Sequence, residues 1–262
     1  MDFLFNLPLV ISGPLILLLL IAFGVGGLAL FRRFYLSSLR FGHSDAHFSG
    51  AVLASIMVFY GLALALTAVH VWETYEEAAR TTTREAASIA GLWREICEYP
   101  EPTKSLLQAG LKDYVDYTIH EAWPSMRKGI VPAAGIRRID RFQSTLIQFE
   151  PKTEGQKVLA GEAIATYREM IDVRRLRLDA VGTRLPGVMW LVVLAGAAIS
   201  LISAFFFPVE DFRVHATQVA LLATLIGIVI FMIVALDRPY QGDLGLTPAP
   251  YQLVYDQLMR HF

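Results

Sequence analysis

Cysteine is almost missing from this chain: Cys97 stands alone among 262 residues. That excludes an internal disulfide framework and any metal site built on several cysteines. Charge is also scarce, at 18% of residues, where a soluble domain carries about 25%. A formal net charge of -1 provides no basic field for nucleic acid, so no nucleic-acid partner is expected. The chain has no Walker-type glycine loop, nucleophile elbow, His-Glu-x-x-His pair or haem-binding cysteine motif. The cluster Gly24–Gly27 lies in an apolar run and has no lysine after it. An enzyme is therefore not expected, and neither is a catalytic residue, a cofactor or a metal centre. Strand-like alternation is missing throughout, which leaves an all-α fold.

The places without charge are long. Residues 8–31, 48–72, 185–209 and 214–236 contain no Asp, Glu, Lys or Arg. Each exceeds the roughly 20 apolar residues that cross a bilayer as a helix. The first run is too long for a signal peptide, has no basic stretch before it and ends at Arg32–Arg33. Four transmembrane helices make this a multi-pass integral membrane protein, with the lipid bilayer as its first partner. Between Glu73 and Arg184 lie 17 basic and 17 acidic residues. The plan is therefore helices one and two over 1–72, a polar helical domain over 73–184, helices three and four over 185–236, and an ordered tail over 237–262.

Two crossings on each side of the domain put both termini and the domain on one face of the membrane. Arg80, Arg84, Arg168, Arg174, Arg175, Arg177, Arg184 and Arg238 outnumber Arg32, Arg33, Arg40 and Arg213 on the other face. The positive-inside rule then makes the termini and domain cytoplasmic, although the short basic loop after helix one pulls the other way.

No proline interrupts residues 44–99, so helix two is expected to continue into the polar domain for roughly 80 Å. Ser44 or Asp45 would cap it, and Tyr99-Pro100-Glu101-Pro102 would turn the chain. Thr103 is expected to cap a second domain helix that stops before Pro124. A third should cover 134–149. A fourth should open on a Thr153–Gln156 capping box, run to about 181 and stop at Gly182. Small residues recur at spacing four, at Gly50 and Ala54, Gly61 and Ala65, and Gly196, Ser200 and Ala204. Such rows let membrane helices approach closely, within one subunit or between subunits.

Three groups of polar residues are candidate sites. Glu73, Glu76 and Glu77 follow helix two directly and would form stacked carboxylate rings in an oligomer built around that helix. Arg80 and Arg84 share their face, so the same residues also read as a solvated surface held by i,i+4 pairs. Asp45 and His47, with His43, mark the opposite mouth as a polar, pH-sensitive loop. His70 sits at the interface or faces the pore. Asp237, Arg238 and Pro239 leave helix four as a clamp for the tail or as an interfacial anchor.

Three stretches carry a family resemblance. MVFYGLALALTAVHVWETYEEAARTTTREAASIAGLWRE contains Tyr60, Trp72, Tyr75, Ala78, Glu85 and Ala86 at a characteristic spacing. EAWPSMRKG spans 121–129, and LDRPYQGDLGLTPAPY spans 236–251. Together they resemble the bestrophin-like domain family of bacterial and plant membrane proteins, which is distantly similar to the bestrophin chloride channels. The resemblance implies a homo-oligomeric pore for inorganic ions, with the bestrophin pentamer as its precedent and helix two lining the path. The bestrophin gate motif and acidic calcium cluster are not found here. The expected function is a homo-oligomeric, bestrophin-like ion channel or channel-like protein of the cell membrane. The alternative is a non-conducting scaffold or sensor whose cytoplasmic helices bind partners.

Overall fold

A computed structural model describes residues 8–34, 43–207 and 209–260, with the backbone alone over 43–47. Every regular element among the described residues is helical. In chain order they are α1 (Leu9–Phe34), α2 (His43–Ile96), α3 (Thr103–Tyr117), α4 (Trp123–Met126), α5 (Gly135–Ile147), α6 (Glu154–Ala180), α7 (Gly187–Phe205), α8 (Phe212–Leu236) and α9 (Ala249–Val254). Four of them, α1, α2, α7 and α8, are long and apolar enough to span a bilayer. The chain divides into two compact units, Met1–Glu73 with Arg184–Asp237, and Thr74–Thr183 with Arg238–Phe262.

In the first unit, glycine decides where the apolar helices meet. A Cβ on Gly13 of α1 would stand 3.2 Å from the Phe231 ring of α8, and one on Gly24 would stand 3.0 Å from Val219. A Cβ on Gly27 would stand 2.8 Å from Phe205 of α7. Without a hydrophobic drive between helices in lipid, these close approaches supply the van der Waals contact that joins them. Gly61 and Gly26 have nothing near them in the chain, so only some of the small residues serve packing within the subunit. At the far end of α1, Arg32 donates to the Val209 carbonyl and, at 3.2 Å, to that of Glu210. Asp211 caps α8 by accepting from the Arg213 amide at 2.7 Å.

The α2–α7 contact depends on one residue pair. The Tyr60 hydroxyl donates to the Val193 carbonyl at 3.0 Å, and its Cδ2–Cε2 edge fills the space beside Gly196, where a Cβ would overlap it. Gly196→Ala is expected to lower stability by about 1–3 kcal/mol through overpacking. Thermal unfolding in detergent measures this, and the loss should shrink on a Tyr60→Leu background, where the ring is gone. An equal loss on both backgrounds would place the effect elsewhere.

The second unit closes around a core from every helix it contains, with Ile89, Leu92 and Ile96 of α2, Leu107 and Leu111 of α3 and Met170 of α6 fully buried. Its helix boundaries differ from expectation in three places. Thr103 is not a cap: Pro102 holds that position without a side-chain bond, and Glu101 accepts from the Ser105 hydroxyl at 2.6 Å instead. The helix does not stop before Pro124. A single π-turn, Thr118–Ala122, links α3 to α4, and the Trp123 amide reaches back to the Thr118 carbonyl. That wider turn removes the register in which a proline ring strikes the preceding turn. The tail also folds into a helix, α9, which continues as a π-turn over Tyr255–Met259. The expected cap on α6 is present, with Thr153 accepting from the Gln156 amide at 3.2 Å.

Where α2 meets α6, Glu95 Oε1 accepts from the Thr166 hydroxyl at 2.8 Å, while Oε2 is buried with no hydrogen-bond partner. Burial raises the carboxyl above its usual range; Thr166 lowers it in part, and Glu162 raises it further. A carboxyl raised in the folded state stabilises below its ordinary value of 4.5, and that contribution is lost as pH rises through the raised value. Glu95→Gln should therefore raise the thermal midpoint at neutral pH and give no gain below 4.5. A lower midpoint at neutral pH would contradict this.

Candidate functional site

The carboxylates after the membrane span lie on consecutive turns of α2. Glu76 pairs with Arg80 at 2.8 Å one turn later, the i,i+4 arrangement that geometry favours on a helix surface. Arg84 reaches Glu169 of α6 at 3.1 Å. Glu73, Glu77 and His70 are exposed. Asp45 and His47 lie in the first turn of α2, where their side chains fall outside the described residues.

Asp237 and Arg238 serve different segments. Asp237 is buried and its carboxylate accepts from the Leu185 amide, just ahead of α7. Arg238 donates to Gln241 Oε1 at 3.1 Å. The carbonyl of Pro239 accepts from the Leu246 amide at 2.8 Å, which folds residues 239–246 back on themselves.

The most strongly built polar cluster lies in the second unit and includes none of the candidate site residues read from the sequence. Glu85 of α2 and Arg177 of α6 are 0% and 1% exposed. Arg177 Nε donates to Oε2 of Glu85 at 2.6 Å, and Nη2 to Oε1 at 3.2 Å. This is the two-pronged geometry that makes an arginine–carboxylate pair strong. The Tyr114 hydroxyl donates to the same Oε1 at 2.6 Å, and the guanidinium also contacts Met126 Sδ at 2.9 Å. Its central carbon stands 5.9 Å from the Trp123 ring and 5.6 Å from that of Tyr251, close enough for attraction to both π faces.

Desolvating two charges costs several kcal/mol for each ion, and here mutual pairing and the surrounding rings offset that cost. Burial alone would lower the pKa of Arg177. Glu85, with Tyr251 and Tyr114, outweighs it and holds the guanidinium above its ordinary value. Burial is also the largest cause raising Tyr114 and Tyr251, with Glu85 adding to it against Arg177, so both phenols stay neutral. The cluster joins α2, α3, α4 and α6 through buried polar contacts.

The three stretches that carry the family resemblance meet at this cluster. The first supplies Glu85, and also Thr82, whose hydroxyl lies 3.1 Å from that of Tyr240. It also supplies Tyr75, which donates to the Leu244 carbonyl at 3.0 Å. The second supplies Trp123, whose Nε1 donates to the Leu246 carbonyl at 2.8 Å and whose ring meets Tyr240 edge-on and Tyr251 at a tilt. The third supplies those tail residues. Arg177 comes from outside all three. Its sequence signal is a charge on an apolar stripe, since Tyr167, Met170 and Val173 lie on the same side of α6 and are buried with it.

Elsewhere, α2 and α7 of the first unit border an apolar groove of about 690 Å³, lined by Phe48, Val52, Phe59, Tyr60, Val192 and Ile199 among others. Among the described residues no group of three or more His, Cys, Asp or Glu side chains is placed to hold a metal.

No curated protein and no solved structure matches the chain. The family model of the Bestrophin-like domain matches residues 18–251, a range that includes all three stretches and both members of the buried ion pair. Nearly the whole chain is thus one domain of that kind on four membrane-spanning helices, and the protein belongs to the Bestrophin-like domain family.

Proposed function

We propose that the chain is one subunit of a homo-oligomeric ion channel or channel-like assembly of the cell membrane, with α2 lining the path and both termini cytoplasmic. One observation carries this reading. Along its apolar half α2 covers Tyr60, Leu64, Ala68 and Val71, and leaves Val58, Phe59, Leu62, Leu66 and Val69 uncovered. A second copy placed against that face would complete the packing. Family membership supports the same direction, with the bestrophin pentamer as precedent. The α2 span 48–72 has no Asp, Glu, Lys or Arg, so selection among inorganic ions would fall to the mouth, where Glu73 and Glu77 are exposed.

Carboxylates at a mouth attract cations, most strongly where screening is limited; the pairing of Glu76 with Arg80 weakens that field without reversing it. Purified protein in a planar bilayer should carry current with a cation preference. Under a salt gradient, Glu73→Gln with Glu76→Gln should move the reversal potential toward zero. A chloride-selective wild type unaffected by the double change would sink the acidic mouth. Absence of current across anions, cations, pH and calcium would sink conduction and favour a non-conducting scaffold.

A further inference from the structure

The link between α4 and α5 turns its apolar side chains outward. Ile130 and Val131 are 58% and 51% exposed, Ile136 on the first turn of α5 is 54% exposed, and Leu244 in the tail is 47% exposed. Arg127, Lys128 and Arg137 alternate with them and are exposed too. Neighbouring acids are largely engaged elsewhere, since Arg138 takes Asp113 at 3.1 Å and Glu121 at 3.7 Å. Asp116, Asp140 and Asp243 are exposed as well.

This surface is held in shape. Gly129 has φ +72°, a conformation that favours glycine, and a Cβ there would meet the Gln241 amide. Its amide donates to the Met126 carbonyl at 2.8 Å, and that of Ile130 to Ser125 at 3.1 Å. Arg127 Nη2 reaches the Gly242 carbonyl at 3.4 Å. The loop is thereby joined to tail residues 241 and 242, and Gln241 is only five residues beyond the end of α8 at Leu236. Five residues of chain span at most about 18 Å. That short tether leads back to the end of a membrane helix, which borders the headgroup layer.

Apolar tips between basic side chains suit that layer, where the tips enter the acyl boundary and the cations stay among phosphates. We propose that Arg127, Lys128, Ile130, Val131, Ile136 and Arg137 form a contact surface for the anionic lipids of the protein's own bilayer. It steadies the polar unit, and it does so whether or not the protein conducts.

The test uses the full chain on a Cys97→Ser background in vesicles of phosphatidylcholine with or without phosphatidylglycerol. A fluorophore is attached at Ile130→Cys, at Ile136→Cys, or at Val158→Cys, an exposed control on α6. Seated roughly 5–10 Å into the boundary, labels at 130 and 136 should be quenched by bromine on lipid chains and shielded from aqueous iodide, with the reverse at 158. Quenching by lipid should be stronger with phosphatidylglycerol. Arg127→Gln with Lys128→Gln should weaken the contact by about five-fold per charge removed. Iodide quenching at 130 and 136 equal to that at 158 would overturn the proposal. So would shielding from both quenchers, which would mean that protein covers the patch. Lipid quenching indifferent to phosphatidylglycerol and to the two charges would overturn the anionic preference. The two labelled positions read the same surface, so one variant that fails to fold leaves the other to decide.

Discussion

Arg177→Met should cost the polar unit about 3–5 kcal/mol, because it strands a carboxylate in the core. Glu85 is fully buried, and after the change only the Tyr114 hydroxyl remains to stabilise its charge. Glu85→Leu should be comparably damaging, since it leaves the guanidinium beside two aromatic rings with no anion. Removing the whole group together (Glu85→Leu, Arg177→Met and Tyr114→Phe) should cost less than either single change, because apolar side chains of similar volume avoid desolvating charge. Unfolding of the purified protein in detergent supplies the cycle. If the combined variant loses the sum of the separate losses, the three groups are not one coupled cluster.

Trp123→Ala should cost about 3–5 kcal/mol as a large buried aromatic truncation and should free the tail from the core. The indole is in contact with Tyr240 and Tyr251 and holds the Leu246 carbonyl, so one side chain links α4 to three parts of residues 238–251. Trp123→Phe keeps much of the volume and should lose only the hydrogen bond, about 0.5–1.5 kcal/mol. Limited proteolysis separates the two variants. Cleavage within the tail should become rapid for Trp123→Ala and stay slow for Trp123→Phe. A tail that remains protected in Trp123→Ala would show that Tyr75, Thr82 and Arg127 hold it unaided.

Legibility followed the range over which each feature is determined. Membrane helices are written in uncharged runs, and each of the runs at 8–31, 48–72, 185–209 and 214–236 overlaps a helix long and apolar enough to span a bilayer. The Thr153 cap and the Glu76–Arg80 pair involve residues three or four apart, and their spacing was visible. Pro124 misled because a helix was expected to stop at a proline, whereas the π-turn before it absorbs the ring. α9 is hard to see in the sequence because Gly245 and Pro248 are turn signals; its support is burial of Tyr251 against Arg177 and Trp123, contacts far apart in the chain. Arg177 was counted only among the charges that set orientation. Its partner Glu85 is 92 residues away, and no local pattern pairs them.

The channel reading rests most heavily on what covers the open face of α2. Cysteine cross-linking in native membranes, on the Cys97→Ser background, measures this directly. Two cysteines bridge only when their Cα atoms approach within about 7 Å, so a disulfide reports true helix contact. Leu62→Cys and Leu66→Cys, each tested singly and both on the uncovered face, should yield covalent dimers under mild oxidation, while Leu19→Cys on the exposed side of α1 should remain monomeric. Covalent dimers from Leu19→Cys with none from positions 62 and 66 would contradict an assembly built around α2.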